Sequence, residues 1–330
     1  MRILIVKTSS LGDVVHMLPA LTDAVHRIPG LRADWVVEEA FDAVPRWHPA
    51  VDRVLPVAIR RWRRSLLSRA TWEQIAAFRD RLKATPYDAV IDSQGLLKSA
   101  WIAWSSRGPR WGFDRRSIRE PLATLAYHRR AYVSTKCHAI ERNRQLLAKA
   151  LGYSLDDLGL DYGVQAFLSS PRAPRDSAAY PRHVMALHGT SRIDKEWPQA
   201  CWIALGHLLA KHGSGLLLPW GNTREQERAQ SIASQVPGCL VLPRLDLDHL
   251  AVRIGSAPAV VGMDTGLMHI AAAFGRPGVA LFPATAPELT GVRPAAGSPQ
   301  ILNLTGSEDM TPDHVGAQLL RLLPDETRAV

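Results

Sequence analysis

The sequence has little of what defines several protein classes. Its three cysteines, Cys137, Cys201 and Cys239, are far apart and offer neither a metal-site spacing nor a disulfide framework, as expected in a reducing cytosol. No apolar run approaches the roughly 20 residues of a membrane span. The first apolar run, Ile3–Val6, is too short for a signal peptide and predicts a strand. We therefore expect a soluble, cytoplasmic protein.

Glycine-rich nucleotide-binding loops are also missing. The sequence contains neither Gly-x-Gly-x-x-Gly nor a Walker A loop, which argues against ordinary dinucleotide dehydrogenases and P-loop enzymes. No helix-turn-helix or RNA-binding motif accompanies the basic residues, so nucleic acid is disfavoured as a partner. The function has to be sought outside these classes.

What the sequence does contain is a charge imbalance confined to one half. The 330 residues carry 40 Lys and Arg against 31 Asp and Glu, a formal charge of +9. Residues 1–165 hold 26 basic and 17 acidic side chains, whereas residues 166–330 hold 14 of each. One half is therefore cationic and the other neutral, which indicates that the two handle different ligands.

Short apolar runs alternate with helical patterns along the chain, which predicts α/β units with parallel sheets. Strands are predicted at Arg2–Val6, Ala33–Val37, Arg53–Val57, Asp88–Asp92, Arg110–Phe113, His183–Leu187, Leu216–Pro219, Leu240–Leu242, Ala259–Met263 and Val279–Phe282. Helices are predicted at Asp13–Arg27, Trp72–Ala84, Leu96–Ser105, His138–Leu151, Pro198–Lys211, Arg224–Val236, Asp248–Ser256, Gly266–Phe274 and Pro312–Leu323. The length predicts two domains, at 1–165 and 183–330, doubly wound and facing each other across a cleft. A linker rich in Ser, Pro and Arg is predicted at 166–182.

The loop after the first strand is the first candidate for a ligand site, because open α/β sheets bind ligands at the carboxyl ends of their strands. Gly12 allows close approach of the backbone, and Asp13 lies where a helix begins. Two interpretations of Asp13 stay open: a helix N-cap or a general base.

Three loops of the second half carry further candidate groups. Thr190, Ser191 and Lys195 could bind an anion, or could form an ordinary polar loop. Around the turn at 264–269, backbone amides at Thr265, Gly266 and Leu267 predict a phosphate site at a helix N-terminus. Asp264 could accept from sugar hydroxyls. Two other side chains have two interpretations each: Glu225 could accept from a ribose or complement its helix dipole, and His269 could contact phosphate or be a half-buried histidine.

The stretch 60–69 mixes five arginines with apolar residues. An anionic lipid surface and nucleic acid are both candidate partners, and a solvated helix face is the alternative. A few arginines would suffice for salt-sensitive docking to an anionic leaflet.

Taken in order, a set of segments spanning nearly the whole chain resembles the heptosyltransferases of lipopolysaccharide synthesis, glycosyltransferase family 9. These segments are Arg2–Asp13 with Met17–Leu21, Asp34–Glu39, Val57–Arg63, Tyr87–Asp92, Arg119–Ala123, Thr190–Pro198, Pro219–Gly221 and Asp264–Gly266. The stretches Lys7–Ser10 and Ala58–Arg63 are more similar to the first of the two heptosyltransferase types than to the second.

The resemblance implies a GT-B fold, with the acceptor bound by the N-terminal domain and the nucleotide-sugar by the C-terminal one. It implies inverting, metal-independent transfer of L-glycero-D-manno-heptose from ADP-L-glycero-β-D-manno-heptose to the 3-deoxy-D-manno-octulosonate (Kdo) of Kdo-lipid A, with no cofactor and no nucleic-acid partner. It further implies peripheral contact with the cytoplasmic face of a Gram-negative inner membrane. Two rival functions remain, a sugar-nucleotide epimerase of the same architecture and a non-catalytic lipopolysaccharide-binding module.

The resemblance also implies residue roles. Asp13 would be the catalytic base, and Lys195 would neutralise charge on the departing diphosphate. Donor-binding positions would be Thr190, Ser191, Lys195, Glu225, Leu245, Asp264, Thr265, Gly266 and His269, and acceptor-binding positions Arg60, Arg61, Arg63, Arg64, Lys98 and Arg119. The chain departs from the family pattern at Phe282–Thr285, which usually carries Gly before its Pro, and at Met268, where a small polar residue is common.

Overall fold

A computed structural model describes residues 1–175, 180–190 and 192–323. The chain divides into two compact units, Met1–Gly163 and Val164–Val330. All of the excess positive charge belongs to the first unit, whose 26 basic and 17 acidic side chains are those counted over residues 1–165. The segment 166–182 falls within the second unit, and its residues 176–179 lie outside the described part.

The first unit is built on a sheet of six parallel strands. They are β1 (Arg2–Val6), β2 (Arg32–Glu38), β3 (Val51–Val57), β4 (Ala89–Asp92), β5 (Arg110–Phe113) and β6 (Arg129–Ala131), in the order β3-β2-β1-β4-β5-β6. Its helices are α1 (Leu11–Val15), α2 (Leu18–Arg27), α3 (Ala43–Arg46), α4 (Ile59–Trp62), α5 (Arg69–Lys83), α6 (Leu97–Ser105) and α7 (Ala139–Leu151). Residues Ile3–Val6 are completely buried, as expected of a central parallel strand.

The second unit repeats this plan. Its strands are β7 (His183–Leu187), β8 (Gly215–Leu218), β9 (Leu240–Val241), β10 (Val260–Met263), β11 (Gly278–Phe282) and β12 (Ile301–Thr305), in the order β12-β11-β10-β7-β8-β9. Its helices are α8 (Gln199–Lys211), α9 (Thr223–Ala233), α10 (Leu247–Ser256), α11 (Gly266–Ala273) and α12 (Pro312–Leu322). Trp197 and Trp202, with ring centroids 5.1 Å apart, pack in its core.

Both units share one topology. Numbered from its own first strand, each sheet has the order 3-2-1-4-5-6, the doubly wound order of Rossmann-like domains. The predicted α/β class is confirmed. In this order the chain reverses direction across the sheet between the first and fourth strands, so each unit has a topological switch point there.

The sequence predicts five strands per half, and the structure has a sixth in each. The two missed strands, β6 and β12, lie at sheet edges. The first two residues of β6 are exposed arginines, and most of β12 is only partly buried. Edge strands need less apolar sequence than central ones, and that is why pattern reasoning missed them.

The single helix predicted at Asp13–Arg27 is wrong, because the structure has two helices, α1 and α2, separated at His16–Met17. Pro19 lies in the first turn of α2. A proline there has no N–H, and its ring would clash with the carbonyl of the preceding turn if one helix continued through it. The other predicted helices are present with ends displaced by a few residues. Among the described residues, no helix is both long and apolar enough to cross a membrane.

Candidate active site

The switch point of the first unit lies between β1 and β4, and the loops that follow these strands are bonded to each other. The backbone N–H groups of Thr8 and Ser9 donate to Oε1 of Gln94 at 3.1 and 3.2 Å. Lys7 Nζ donates to the carbonyl of Ser93 at 3.0 Å. These bonds fix the path of the chain into α1.

Asp13 is the third residue of α1, and its carboxylate closes a capping box. Oδ2 accepts from the backbone N–H of Ser10 at 2.7 Å and from its hydroxyl at 3.1 Å. The N-cap residue is Ser10, so the interpretation of Asp13 as the N-cap is wrong. Both bonds use Oδ2, and among the described residues Oδ1 is the oxygen left to accept a proton from a ligand.

A small cavity lies beside Asp13. It has a volume of about 100 Å³ and is lined by Lys7, Asp13, Ser93, Gln94, Phe113, Arg119, Ala139, Arg142 and Asn143. Burial lowers the pKa of Lys7, and the charges of Asp13 and Asp92 oppose that shift. With Lys7, Arg119 and Arg142 around one carboxylate, the cavity suits a small anionic group next to Asp13.

Some of the predicted acceptor residues lie near the cavity beside Asp13, whereas one of them, Arg61, is paired with a neighbouring carboxylate. Lys98 Nζ donates to Ser9 Oγ at 3.1 Å. Burial lowers the pKa of Lys98, and the nearby charges of Arg60 and Arg63 lower it further while Glu38 opposes them. Lys98, Arg60 and Arg63 therefore form one cationic group.

The remaining arginines of that stretch are placed differently. Arg61 makes two bonds to Glu39, Nε to Oε1 at 3.1 Å and Nη2 to Oε2 at 3.0 Å. Its charge is already matched, so a direct contact with an anionic acceptor would have to displace Glu39. Arg64 lies just after α4 and is exposed.

The switch point of the second unit, between β7 and β10, joins two residues with predicted roles. Lys195 Nζ donates to Asp264 Oδ2 at 2.6 Å, and both side chains are 15% exposed. Thr285 Oγ1 donates to the same oxygen at 2.7 Å. In this structure Asp264 holds Lys195, so a diphosphate that recruits Lys195 has to compete with the carboxylate.

Helix α11 begins directly after Asp264. Thr265 is its N-cap with an extended backbone, and Gly266 is its first residue. The amide of Met268 already donates to the carbonyl of Thr265 at 3.1 Å, which leaves the amides of Gly266 and Leu267 at the helix end as predicted donors for phosphate. His269 is buried at 5% exposure, one turn inside the helix.

Glu225, another predicted donor-binding position, lies in the first turn of α9. Glu225 accepts from the backbone N–H of Gly221 at 2.7 Å. It also lies against Gly189, where a Cβ would come within 2.8 Å of its carboxylate, so only glycine fits beside it without a shift. Thr190 and Leu245 are half-buried loop residues, and Ser191 lies outside the described residues.

Sequence reasoning missed Gln94, Arg142, Asn143 and Thr285. One signal was available, because Ser93-Gln94-Gly95 follows a predicted strand and belongs to the same class of loop as Lys7–Ser10. Arg142 and Asn143 lie inside a helix, and no local pattern marks them. Within the described part of the chain, no group of three or more His, Cys, Asp or Glu side chains could hold a metal ion.

Comparisons with known sequences point in one direction. Residues 75–317 match the family described as glycosyltransferase family 9 (heptosyltransferase). Lipopolysaccharide heptosyltransferase 1 of Pseudomonas aeruginosa is 48% identical over 298 residues, which cover 88% of this chain and 81% of that protein. Lipopolysaccharide heptosyltransferase 1 of Escherichia coli K12 is 47% identical over 293 residues, covering 88% and 90%.

Comparisons with solved structures agree. The E. coli heptosyltransferase WaaC with ADP has a TM-score of 0.88 at 42% identity and covers 99% of this chain and 100% of that one. The same enzyme with ADP-2-deoxy-2-fluoro heptose has a TM-score of 0.87 at 41% identity, covering 97% and 99%. A UDP-N-acetylglucosamine 2-epimerase from Listeria monocytogenes, at 14% identity and a TM-score of 0.57 over 99% of this chain and 89% of that one, shares the fold alone.

Proposed function

The chain belongs to glycosyltransferase family 9 and has its GT-B fold, and from that premise we propose that it transfers L-glycero-D-manno-heptose from ADP-heptose to the Kdo of lipid A during synthesis of the lipopolysaccharide inner core. The single observation that carries the reaction is the Asp13 carboxylate, held by Ser10 through one oxygen at the edge of a cationic cavity. Sequence similarity over 88% of the chain to two heptosyltransferases of type 1 supports the choice of sugar and acceptor.

In the proposed reaction, Oδ1 of Asp13 takes the proton of an acceptor hydroxyl. The acceptor oxygen forms a bond to the anomeric carbon of heptose, while the bond from that carbon to the β-phosphate oxygen breaks and its electron pair leaves with ADP. Attack from the face opposite ADP inverts the anomeric centre. Since the Ser10 bonds fix the carboxylate in place, little reorganisation is needed before proton transfer.

Lys195 would serve the leaving group. Its ammonium leaves Asp264 and pairs with the diphosphate as negative charge develops there. The same movement would free Asp264 to accept from heptose hydroxyls. The amides at the start of α11, the Thr190 hydroxyl and the Ser191 hydroxyl would bind phosphate oxygens, with His269 beside them. Glu225 and Leu245 would hold the ribose and adenine.

The acceptor would be held by the cationic first unit. Kdo carries a carboxylate, and lipid A carries phosphates. Arg119 and the group formed by Lys98, Arg60 and Arg63 have the charge to bind them, and arginine adds the option of bidentate contacts. Because this acceptor is a membrane lipid, we also propose that the protein acts as a peripheral enzyme on the cytoplasmic face of the inner membrane.

The decisive test is Asp13→Asn, which removes the base and keeps the size of the side chain. With ADP-heptose and Kdo-lipid A, we expect kcat to fall by about 10²–10⁴, while calorimetry shows donor binding unchanged. Asp52→Asn is the matched control, since Asp52 pairs with Arg32 on the surface. Wild-type turnover in D13N would reject Asp13 as the base.

The two rival functions are separated in the same assay. An epimerase would convert ADP-heptose to another sugar nucleotide without any acceptor, and product analysis of that mixture would reveal it. A binding module would retain acceptor affinity yet release no ADP. The likeness to epimerases supports their fold alone and favours neither result.

A further inference from the structure

An apolar groove lies on the surface of the first unit, outside the site described above. It has a volume of about 300 Å³ and is lined by Leu97, Ala100, Trp101, Trp104, Leu122, Ala123, Leu125 and Ala126. Four of these side chains are largely exposed, at 51% for Leu97, 59% for Trp104, 65% for Leu122 and 79% for Leu125. An exposed cluster of large apolar side chains on one surface marks an interaction site.

The groove has two walls. One is the exposed face of α6, which carries Leu97, Trp101 and Trp104, and the other is the 3-10 helix Pro121–Ala126, which carries Leu122 and Leu125. The buried residues of these elements, such as Ile102 and Ala123, already serve the core. The exposed leucines and Trp104 are therefore not needed to fill the core.

Two arginines place positive charge beside one wall of this apolar groove. Arg110 Nε donates to the carbonyl of Ala126 at 2.6 Å, and Arg130 Nε donates to that of Thr124 at 3.0 Å. Both guanidinium groups are therefore fixed against the 3-10 helix that forms one wall of the groove. Residues 97–130 contain eight Lys or Arg and two Asp or Glu. One of the two acids, Glu120, accepts from the backbone N–H of Leu97 at 2.6 Å.

The groove adjoins the proposed acceptor site along the chain. Leu97 precedes Lys98, whose ammonium reaches Ser9 beside α1. Arg119, which lines the cavity with Asp13, precedes the 3-10 helix that carries Leu122. If the acceptor site binds the head group of a membrane lipid, the adjoining groove would lie against the bilayer.

We infer that this groove, together with Arg110 and Arg130, docks the protein on an anionic phospholipid bilayer, with Trp104, Leu122 and Leu125 inserted at the interface. The inference rests on the proposed function only in that the acceptor is a membrane lipid. Charge favours a bilayer over a second copy of this chain, since two such faces would bring like charges together. Two weak signals, apolar insertion and basic attraction, together give stable anchoring.

The test compares the full-length wild type with Leu122→Ser/Leu125→Ser in vesicle sedimentation. The vesicles are phosphatidylcholine alone and phosphatidylcholine mixed with phosphatidylglycerol, with no acceptor present. Leu289→Ser is the matched control, because Leu289 is an exposed leucine of the second unit. We expect the wild type and L289S to bind the anionic vesicles, and the double variant to bind about tenfold or more weakly. Equal binding of all three proteins, or no wild-type binding, would overturn the inference.

Two further readouts identify the occupant. Brominated acyl chains should quench wild-type fluorescence more than that of Trp104→Phe, which a merely electrostatic contact would not produce. Light scattering in the absence of lipid should give the same molar mass for the wild type and the double variant. If the wild type is a dimer and the double variant is not, a second copy of the chain occupies the groove, and the inference of bilayer docking is overturned.

Activity on a soluble acceptor separates this inference from the proposed function. With Kdo-lipid A stripped of its acyl chains, the double variant should match the wild-type kcat/KM, because neither leucine lies at the site. If the wild type transfers no heptose to any acceptor, the proposed function fails whatever the vesicles show. If transfer is normal and vesicle binding does not depend on the leucines, the docking surface alone fails.

Discussion

The two units have the same strand order but different charge, since the first is cationic and the second is neutral. In the first, the switch point places the Asp13 carboxylate beside Lys7, Arg119 and Arg142 in a unit with an excess of nine positive charges. In the second, the switch point pairs one lysine with one carboxylate in a unit whose basic and acidic side chains balance. A shared topology fixes where a ligand binds, and the side chains of its loops decide which ligand that is. On this view the first unit holds a polyanionic lipid and the second a small nucleotide-sugar.

The largest effect that would test this division is expected at Lys195. In Lys195→Ala the departing diphosphate loses its cation, and we expect kcat to fall by about 10²–10³, as when one electrostatic contact to a transition state is removed. The KM for the acceptor should not change, because we propose that the first unit binds that ligand. Steady-state kinetics with each substrate varied in turn measures both. Arg224→Ala is the control, since this exposed side chain pairs with Glu196; a changed acceptor KM in K195A would contradict the division.

Acid should destabilise both units through one buried histidine in each. Burial lowers the pKa of His48 in the first unit and of His188 in the second from 6.5 to about 4. Each of these imidazoles therefore binds a proton below pH 6.5 in the unfolded chain, but only below about pH 4 in the folded protein. The contribution of each neutral imidazole to the free energy of unfolding is complete above pH 6.5 and is lost as the pH falls to 4. This contribution is on the order of 3 kcal/mol per imidazole.

The histidine of the first unit offers the cleaner variant. The N–H of Ala50 donates to Nδ1 of His48 at 3.2 Å, and Oδ1 of an asparagine could accept this bond without titrating. Chemical denaturation measures how much the free energy of unfolding decreases between pH 6.5 and pH 4. In His48→Asn this decrease should be smaller than in the wild type by about the contribution of one imidazole. His207→Asn, at an exposed position of α8, is the control. An unchanged slope in H48N would show that His48 is not the group responsible.

Ionic strength should act on the two substrates unequally. Arg119, Arg63 and Arg64 are exposed, so their attraction for a polyanionic acceptor is screened by salt. We expect the acceptor KM to rise by about tenfold between low and high salt, roughly the loss of two exposed contacts of about 0.7 kcal/mol each, with a smaller change for the donor. Arg119→Ala should raise the acceptor KM at low salt and reduce its salt dependence. Equal salt dependence for both substrates would contradict the electrostatic difference between the units.

Much of this arrangement could be predicted from the sequence. The central strands carry unbroken apolar runs, so their carboxyl ends, and with them Asp13, Lys195 and Asp264, could be placed on ligand-binding loops. The pairing of Lys195 with Asp264 spans 69 positions and is created only when β7 and β10 become neighbours. The bond between Lys7 and Ser93 spans 86 positions and is equally invisible in a local pattern.

Surface residues show the second limit of sequence reasoning. Arg61 has the same sequence character as Arg60 and Arg63, yet Glu39 neutralises it through two bonds. A run of basic residues reveals the total charge and not its partners. The groove at Leu97–Ala126 went unpredicted for a related reason, because exposed leucines and tryptophans on a helix look like ordinary core positions until the packing is known.

The smallest predicted effect concerns Thr285. Its hydroxyl donates to the Asp264 oxygen that also holds Lys195, so it orients the carboxylate while Lys195 moves to the diphosphate. Thr285→Val keeps the shape and removes that bond, and we expect the donor KM to rise about three- to tenfold, the worth of one hydrogen bond of roughly 0.5–1.5 kcal/mol. The value of kcat should change little, and Thr285→Ser should restore the wild-type KM. A raised acceptor KM in T285V would show that a side chain of the second unit also serves the acceptor, and the division of labour between the two units would then be incomplete.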